Sequence, residues 1–134
     1  MGDEEIKNIL SNCKTVAMVG ISPKEDRPSY MVASYLKSKG YRIIPVRPDG
    51  DYILGEKIYH HLMEIPKEIE VDVVDIFRKS EDVPPIVEGA IQRRAKVVWM
   101  QEGIVNVDAG AKAERAGLKV VMNRCMKKEH QKLR

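Results

Sequence analysis

The amino-acid sequence predicts a doubly wound α/β fold built on a mainly parallel sheet, and three observations predict it. Short Val- and Ile-rich runs recur along the chain, each is closed by turn residues, and each is followed by a segment with apolar positions at helical spacing. Parallel neighbours cannot be joined by a tight hairpin, so strands separated by helices of about three turns pair through right-handed crossovers.

The elements follow in order. Ile6, Ile9 and Leu10 place a short amphipathic helix over about Asp3 to Ser11. Thr15 to Val19 is a compact apolar run suited to a strand buried on both faces, and it stops at Gly20. Met31, Val32, Tyr35 and Leu36 then mark a helix with Ser29 as its cap and Gly40 as its terminator. Tyr41 to Val46 is the second strand, closed by Pro48. Leu54 to Pro66 breaks the alternation, with a brief strand near Lys57 and one helical turn. Val71 to Phe77 resumes the sheet. Ile86, Val87, Ala90 and Ile91 define the next helix, in which Pro84 is tolerated because first-turn N–H groups lack partners. Val97 to Met100 is a strand, Asn106 the N-cap of a helix ending before Gly117, and Lys119 to Met122 a last short strand. The sum is a Rossmann-like sheet of about five strands with helices on both faces.

With 134 residues the chain is the size of one domain, and residues 1–134 read as a single unit with a full core. Apolar residues make up 43% and charged residues 32%, and no apolar run approaches the ~20 residues of a membrane span. The start Gly2, Asp3, Glu4, Glu5 is acidic where a secretory signal is basic, so a cytoplasmic location is expected. Cys13 and Cys125 lie far apart, without the spacing of a disulfide framework or a zinc site. The net charge of +3 is scattered apart from Lys127, Lys128, Lys132 and Arg134, which read as a solvated helix face and not as a nucleic-acid surface.

In this architecture ligands bind beyond the carboxyl ends of the strands, near the point where strand order reverses. The first such loop, Gly20 to Pro28, precedes a helix whose amino-terminal N–H groups favour an anion. It adds Lys24, Arg27 and the Ser22 hydroxyl. The dinucleotide pattern GxGxxG is absent, and Arg47 stands where NAD-binding proteins place an acid for the ribose. Arg47 suits a phosphate on the ribose, as in NADP or coenzyme A.

Five blocks carry a resemblance: Val19 to Ser29 (VGISPKEDRPS), Gly40 to Pro48 (GYRIIPVRP), Val71 to Arg78 (VDVVDIFR), Ala95 to Gly103 (AKVVWMQEG) and Asn123 to Met126 (NRCM). In this order they resemble the stand-alone CoA-binding proteins, which are similar to the amino-terminal domain of the succinyl-CoA synthetase α-subunit. The resemblance implies that Gly20, Ser22, Pro23, Lys24 and Arg27 cradle CoA phosphates and that Val46, Arg47 and Pro48 lie by the adenosine. It implies further that Asp75, Ile76, Phe77 and Arg78 wall the nucleotide, with Met100, Gln101, Glu102 and Gly103 towards the pantetheine. The family commonly carries Asn at the position of Arg47, so a contact to the 3′-phosphate is an inference from charge.

The ligase α-subunit carries its phosphorylated histidine in a second domain, for which this sequence has no counterpart. His60, His61 and His130 read as surface residues, and adjacent His60 and His61 point in different directions, which argues against a metal pair. Cys125 beside Arg124 invites a thiolate role, but a small buried residue is the simpler reading. Glu102 has no partner for acid–base work identifiable from sequence. Trp99 and Phe77 are expected to pack the sheet, Phe77 closer to ligand. The leading expectation is therefore a module that binds coenzyme A or acyl-CoA, without catalytic or metal-binding residues, as a carrier, sensor or regulator. The alternatives are an NAD(P)-dependent enzyme on the same fold and a detached acyl-CoA ligase subunit served by a separate catalytic chain.

Overall fold

In the computed structural model, which describes Met1–Arg134, five strands form one parallel sheet. They are β1 (Thr15–Val19), β2 (Arg42–Val46), β5 (Val73–Ile76), β6 (Val97–Met100) and β7 (Lys119–Val121), in the order β2-β1-β5-β6-β7. A hairpin of β3 (Tyr52–Ile53) and β4 (Glu56–Lys57) interrupts the alternation. Its two-residue turn puts Leu54 and Gly55 at φ +54° and +75°, the positive values that tight hairpins demand. The sequence pointed to a strand near Lys57, whereas Tyr52–Ile53 escaped notice because a two-residue strand leaves no periodicity.

Side chains of successive residues leave the sheet on opposite faces. Val16, Met18, Val73, Val97 and Trp99 point to one side, covered by α1 (Asp3–Asn12), α2 (Pro28–Ser38) and α5 (Met126–Leu133). Ala17, Val74, Ile76, Val98 and Met100 point to the other, covered by α3 (Val83–Gln92) and α4 (Val107–Arg115). All four residues of β5 and of β6 are buried, which is why these runs read as continuous apolar stretches without alternation. Asn106 caps α4 as expected, its Oδ1 accepting the Ala109 N–H at 3.0 Å.

Two local expectations are corrected. Ser29 does not cap α2: Arg27 holds that position and Pro28 opens the helix. The buried Ser29 hydroxyl turns back to accept the Ser22 N–H at 2.9 Å and so ties the first loop to the helix. His130 is not a surface residue. It is 9% exposed, its Nδ1 lies 2.7 Å from the Tyr35 hydroxyl, and its ring stands edge-on to Tyr35 and Tyr41. The basic tail is helical, but its inner face, carrying Met126 and His130, packs into the first core layer, while Lys128 and Lys132 remain exposed.

The outer edge of β2 is covered at its carboxyl end. Tyr59 bridges to Val46, its N–H donating to Pro45 O at 3.0 Å and its carbonyl accepting from the Arg47 N–H at 2.9 Å. From β1 the chain runs outward to β2 and then returns to β5 on the other side of β1, so strand order reverses between β1 and β5.

Candidate functional site

The reversal leaves a crevice at the carboxyl ends of the central strands, the place where open α/β sheets take ligands. Backbone bonds fix its floor: Gly20 N–H donates to Val46 O, and Phe77 N–H to Val19 O, both at 2.9 Å. Gly20 has φ +89°, and a Cβ there would lie 2.8 Å from Arg78 Cδ and 2.9 Å from Phe77 O. Only glycine lets the Arg78 stem cross β1 at this point.

Above this floor lies a cleft of about 400 Å³. Val19, Gly20, Val46, Arg47, Pro48 and Arg78 line it from the strand ends. His60, His61, Leu62 and Met63 close one side, and Asp82, Pro85, Ile86 and Gly89 the other. Apolar surface makes up most of the walls, and Arg47, His60, His61, Arg78 and Asp82 supply polar side chains, the mixture from which small-molecule sites are built. Arg47 is held rigidly, Nε donating to Asp49 O at 2.9 Å and Nη1 to Ile21 O at 3.2 Å. Both acceptors are neutral, so its positive charge stays uncompensated. Arg78 donates from Nη2 to Asp82 Oδ2 at 3.1 Å.

Of the residues singled out in the sequence, the structure brings Gly20, Val46, Arg47, Pro48 and Arg78 together in this cleft. Ser22, Pro23, Lys24 and Arg27 lie outside its lining, on the loop that leads to α2. Pro23, Lys24 and Arg27 are exposed, and Ser22 Oγ accepts the Lys24 N–H at 3.1 Å to make a local turn. The remaining positions turn elsewhere. Ile76 and Met100 are fully buried in the second core layer. Gln101 is buried and its Oε1 accepts the Met126 N–H at 3.1 Å, satisfying the start of α5. Phe77 is half-buried against the first core layer, Glu102 pairs with Lys128 at 2.9 Å, and Gly103 donates to Asn123 Oδ1 at 2.7 Å.

Asp75 stands apart. It is completely buried, neither carboxylate oxygen has a hydrogen-bond partner, and it does not line the cleft. Burial pushes its pKa well above the usual carboxylate range, so the neutral acid is favoured. Both cysteines are free and buried, as the sequence suggested for Cys125, and burial, helped by the charge of Asp72, pushes the Cys13 thiol up to about 11. Trp99 is buried and its indole N–H donates to Arg124 O at 2.7 Å.

Sequence reasoning missed Val19, His60, His61, Leu62, Met63, Asp82, Pro85, Ile86 and Gly89 as cleft residues. The strand-end rule examines loops that follow strands, whereas 60–63 precede β5. The broken alternation between Leu54 and Pro66 was the available signal, since an excursion from a regular βα pattern has to lie over something.

Fold and cleft together define an α/β domain of the kind that takes a ligand at a strand-order reversal. The chain belongs to the CoA binding domain family, whose model matches residues 14–131. It is 41% identical over 126 residues to the uncharacterized protein YneT of Bacillus subtilis, covering 94% of this chain and 92% of that one. A hypothetical protein from Pyrococcus horikoshii OT3 superposes with a TM-score of 0.95 at 43% identity, over 99% of this chain and 92% of that one. The acetate–CoA ligase [ADP-forming] II of Archaeoglobus fulgidus is 30% identical over 111 residues, 80% of this chain, which spans only 16% of that protein's length. No helix is long and apolar enough to cross a membrane.

Proposed function

We propose that the protein binds coenzyme A or an acyl-CoA through this cleft and acts in the cytoplasm as a carrier, sensor or regulatory module without catalytic residues of its own. One observation supports this reading above the others: an Arg47 held by neutral carbonyls with its charge uncompensated, in a cleft at the strand-order reversal of a CoA-binding family fold. In this reading Arg47 takes the ribose 3′-phosphate, as guanidinium groups do where a phosphate must be oriented. Val46, Pro48, Leu62, Pro85 and Ile86 offer apolar surface to the adenine. Lys24 and Arg27, on the exposed loop, face the pyrophosphate, and Glu102 and Gly103 lie on the pantetheine side. Bound CoA would supply a thiol that carries acyl groups.

The test is calorimetric titration with CoA, dephospho-CoA, NAD and NADP. CoA is expected to bind more tightly than NAD, and equal affinity would overturn the reading. Dephospho-CoA is expected to lose about 1.5–3 kcal/mol, the scale of a hydrogen bond to a charged group. Equal binding of CoA and dephospho-CoA would remove the Arg47 contact. Replacing Lys24 and Arg27 together by Ala is expected to weaken CoA by a similar ~1.5–3 kcal/mol. Unchanged affinity would place the pyrophosphate elsewhere.

The similarity to one segment of the Archaeoglobus ligase favours a second reading, in which a separate chain supplies the catalytic part. Co-purification of this protein with a ligase-like chain from its own cells tests that arrangement.

A further inference from the structure

Asp82 is the one acid among the side chains that line the cleft, and its place at a helix start leaves it without the usual task. It ends a 3-10 turn, Ser80–Asp82, that runs straight into α3, and its backbone is itself helical (φ −88°, ψ −6°), unlike the extended backbone from which a capping Asp accepts the N–H of the second or third helical residue. Those residues are Pro84 and Pro85, which have no N–H, and Asp82 makes no capping bond. Its carboxylate turns to Arg78 instead, in an ion pair of 3.1 Å between two partly exposed side chains. Neither helix capping nor a buried network accounts for it.

Arg78 differs from Arg47 in the same respect. Arg47 is fixed by neutral carbonyls and keeps its charge available. Arg78 lies with its stem across Gly20 and has its charge neutralised by Asp82.

We infer that Asp82 is a resident counter-ion: it holds Arg78 across the cleft in the unliganded protein and is displaced when a phosphate group of a nucleotide ligand takes the guanidinium. An exposed ion pair four residues apart is weak. A phosphate brings more charge and matches the guanidinium fork with two oxygens, so the exchange runs towards the ligand. Once displaced, the carboxylate stays in the cleft and repels the same phosphate. Asp82 therefore sets the affinity for anionic ligands below what the basic groups alone would give, and it discriminates against ligands too weakly charged to displace it.

The inference rests on the reading of the cleft as a nucleotide-phosphate site, and its test separates the two. Calorimetry with CoA is run on the wild type, Asp82→Asn, Arg78→Gln and the double variant, each first checked for an unchanged unfolding temperature. Asp82→Asn is expected to bind about two- to fivefold more tightly, the scale of an exposed ion pair. Arg78→Gln is expected to bind more weakly, and the gain from Asp82→Asn should shrink in the Arg78→Gln background. Equal or weaker binding by Asp82→Asn overturns the inference while leaving CoA binding intact, and would point to a ligand hydroxyl held by the carboxylate. Inorganic pyrophosphate, followed through the Arg78 Nε–H resonance, gives a readout independent of CoA. If CoA fails to bind but pyrophosphate shifts that resonance at lower concentration in Asp82→Asn, the counter-ion stands and the CoA reading falls. If pyrophosphate leaves Arg78 unmoved in both proteins, the counter-ion falls too.

Discussion

Asp72 and Asp75 lie three residues apart at opposite ends of the central strand, and the protein treats them in opposite ways. Asp72, at the amino end, accepts the N–H groups of Lys14 and Thr15 at 2.8 and 3.0 Å and pairs with Lys96 at 3.2 Å. Its burial alone would raise its pKa, but those two N–H groups and Lys96 more than offset it and hold the carboxyl below the usual range. Asp75, at the carboxyl end, has no partner and is pushed the other way by burial. The amino end of the sheet spends its polar groups on holding β1 to β5. The end that carries the cleft keeps an unsatisfied one, and an isolated buried carboxyl is a destabilising feature.

Substitutions sharpen this contrast. The largest effect is expected from Asp75→Asn, which removes the need to hold a proton on a carboxyl. That cost grows with every pH step above the unfolded value of ~3.9, so the variant should be the more stable protein at pH 7. The sign follows from a raised folded pKa, whose contribution is complete below the unfolded pKa and is lost as pH rises. The gain should therefore vanish near pH 3 in denaturant titrations, and a gain that persists there would mean a packing effect. Asp72→Ala should act in the opposite sense, losing about 2 kcal/mol at pH 7 because two backbone N–H groups lose their acceptor. With a lowered folded pKa, the wild-type advantage at this position should be present above the unfolded pKa and disappear as pH falls through the folded one.

His130 extends the comparison to a group that titrates nearer neutrality. Burial, with the charges of Arg134 and Lys39, holds its pKa below the usual imidazole value. Its contribution is present above the unfolded pKa of ~6.5 and is lost as pH falls, so thermal unfolding should drop between pH 7 and 5. His130→Gln should flatten that slope. The smallest change is expected from Lys96→Ala: Lys96 is exposed, so the unfolding temperature should barely move and the pKa of Asp72, followed by NMR, should rise only slightly. A large loss would mean that the ion pair, and not the two N–H bonds, holds the amino end.

The fold was legible because continuous apolar runs such as Val97 to Met100 and stripes such as Ile6, Ile9 and Leu10 are local signals of a surface that has to be covered. Asn106 was legible for the same reason, since a cap is read within one turn. The site was legible only where the chain meets it locally, at Gly20, Val46 to Pro48 and Arg78. His130 meets Tyr35 across 95 positions, and no local pattern distinguishes it from a solvated residue. Asp75 sits in a run read as strand, which says that it is buried but not that it lacks a partner. Asp82 takes its meaning from a helical backbone and two prolines that leave it no capping bond to make.

The cover that Tyr59 places on β2 bears on how copies of this protein can meet. An open strand edge is a template on which another chain can add a strand. Here one edge already has its Pro45 carbonyl and Arg47 N–H engaged, and at the other β7 offers only three residues. Continuation of the sheet from molecule to molecule is disfavoured at the carboxyl end of β2 and along the short β7, which leaves side chains on the helices and loops as the larger surface on which copies could meet.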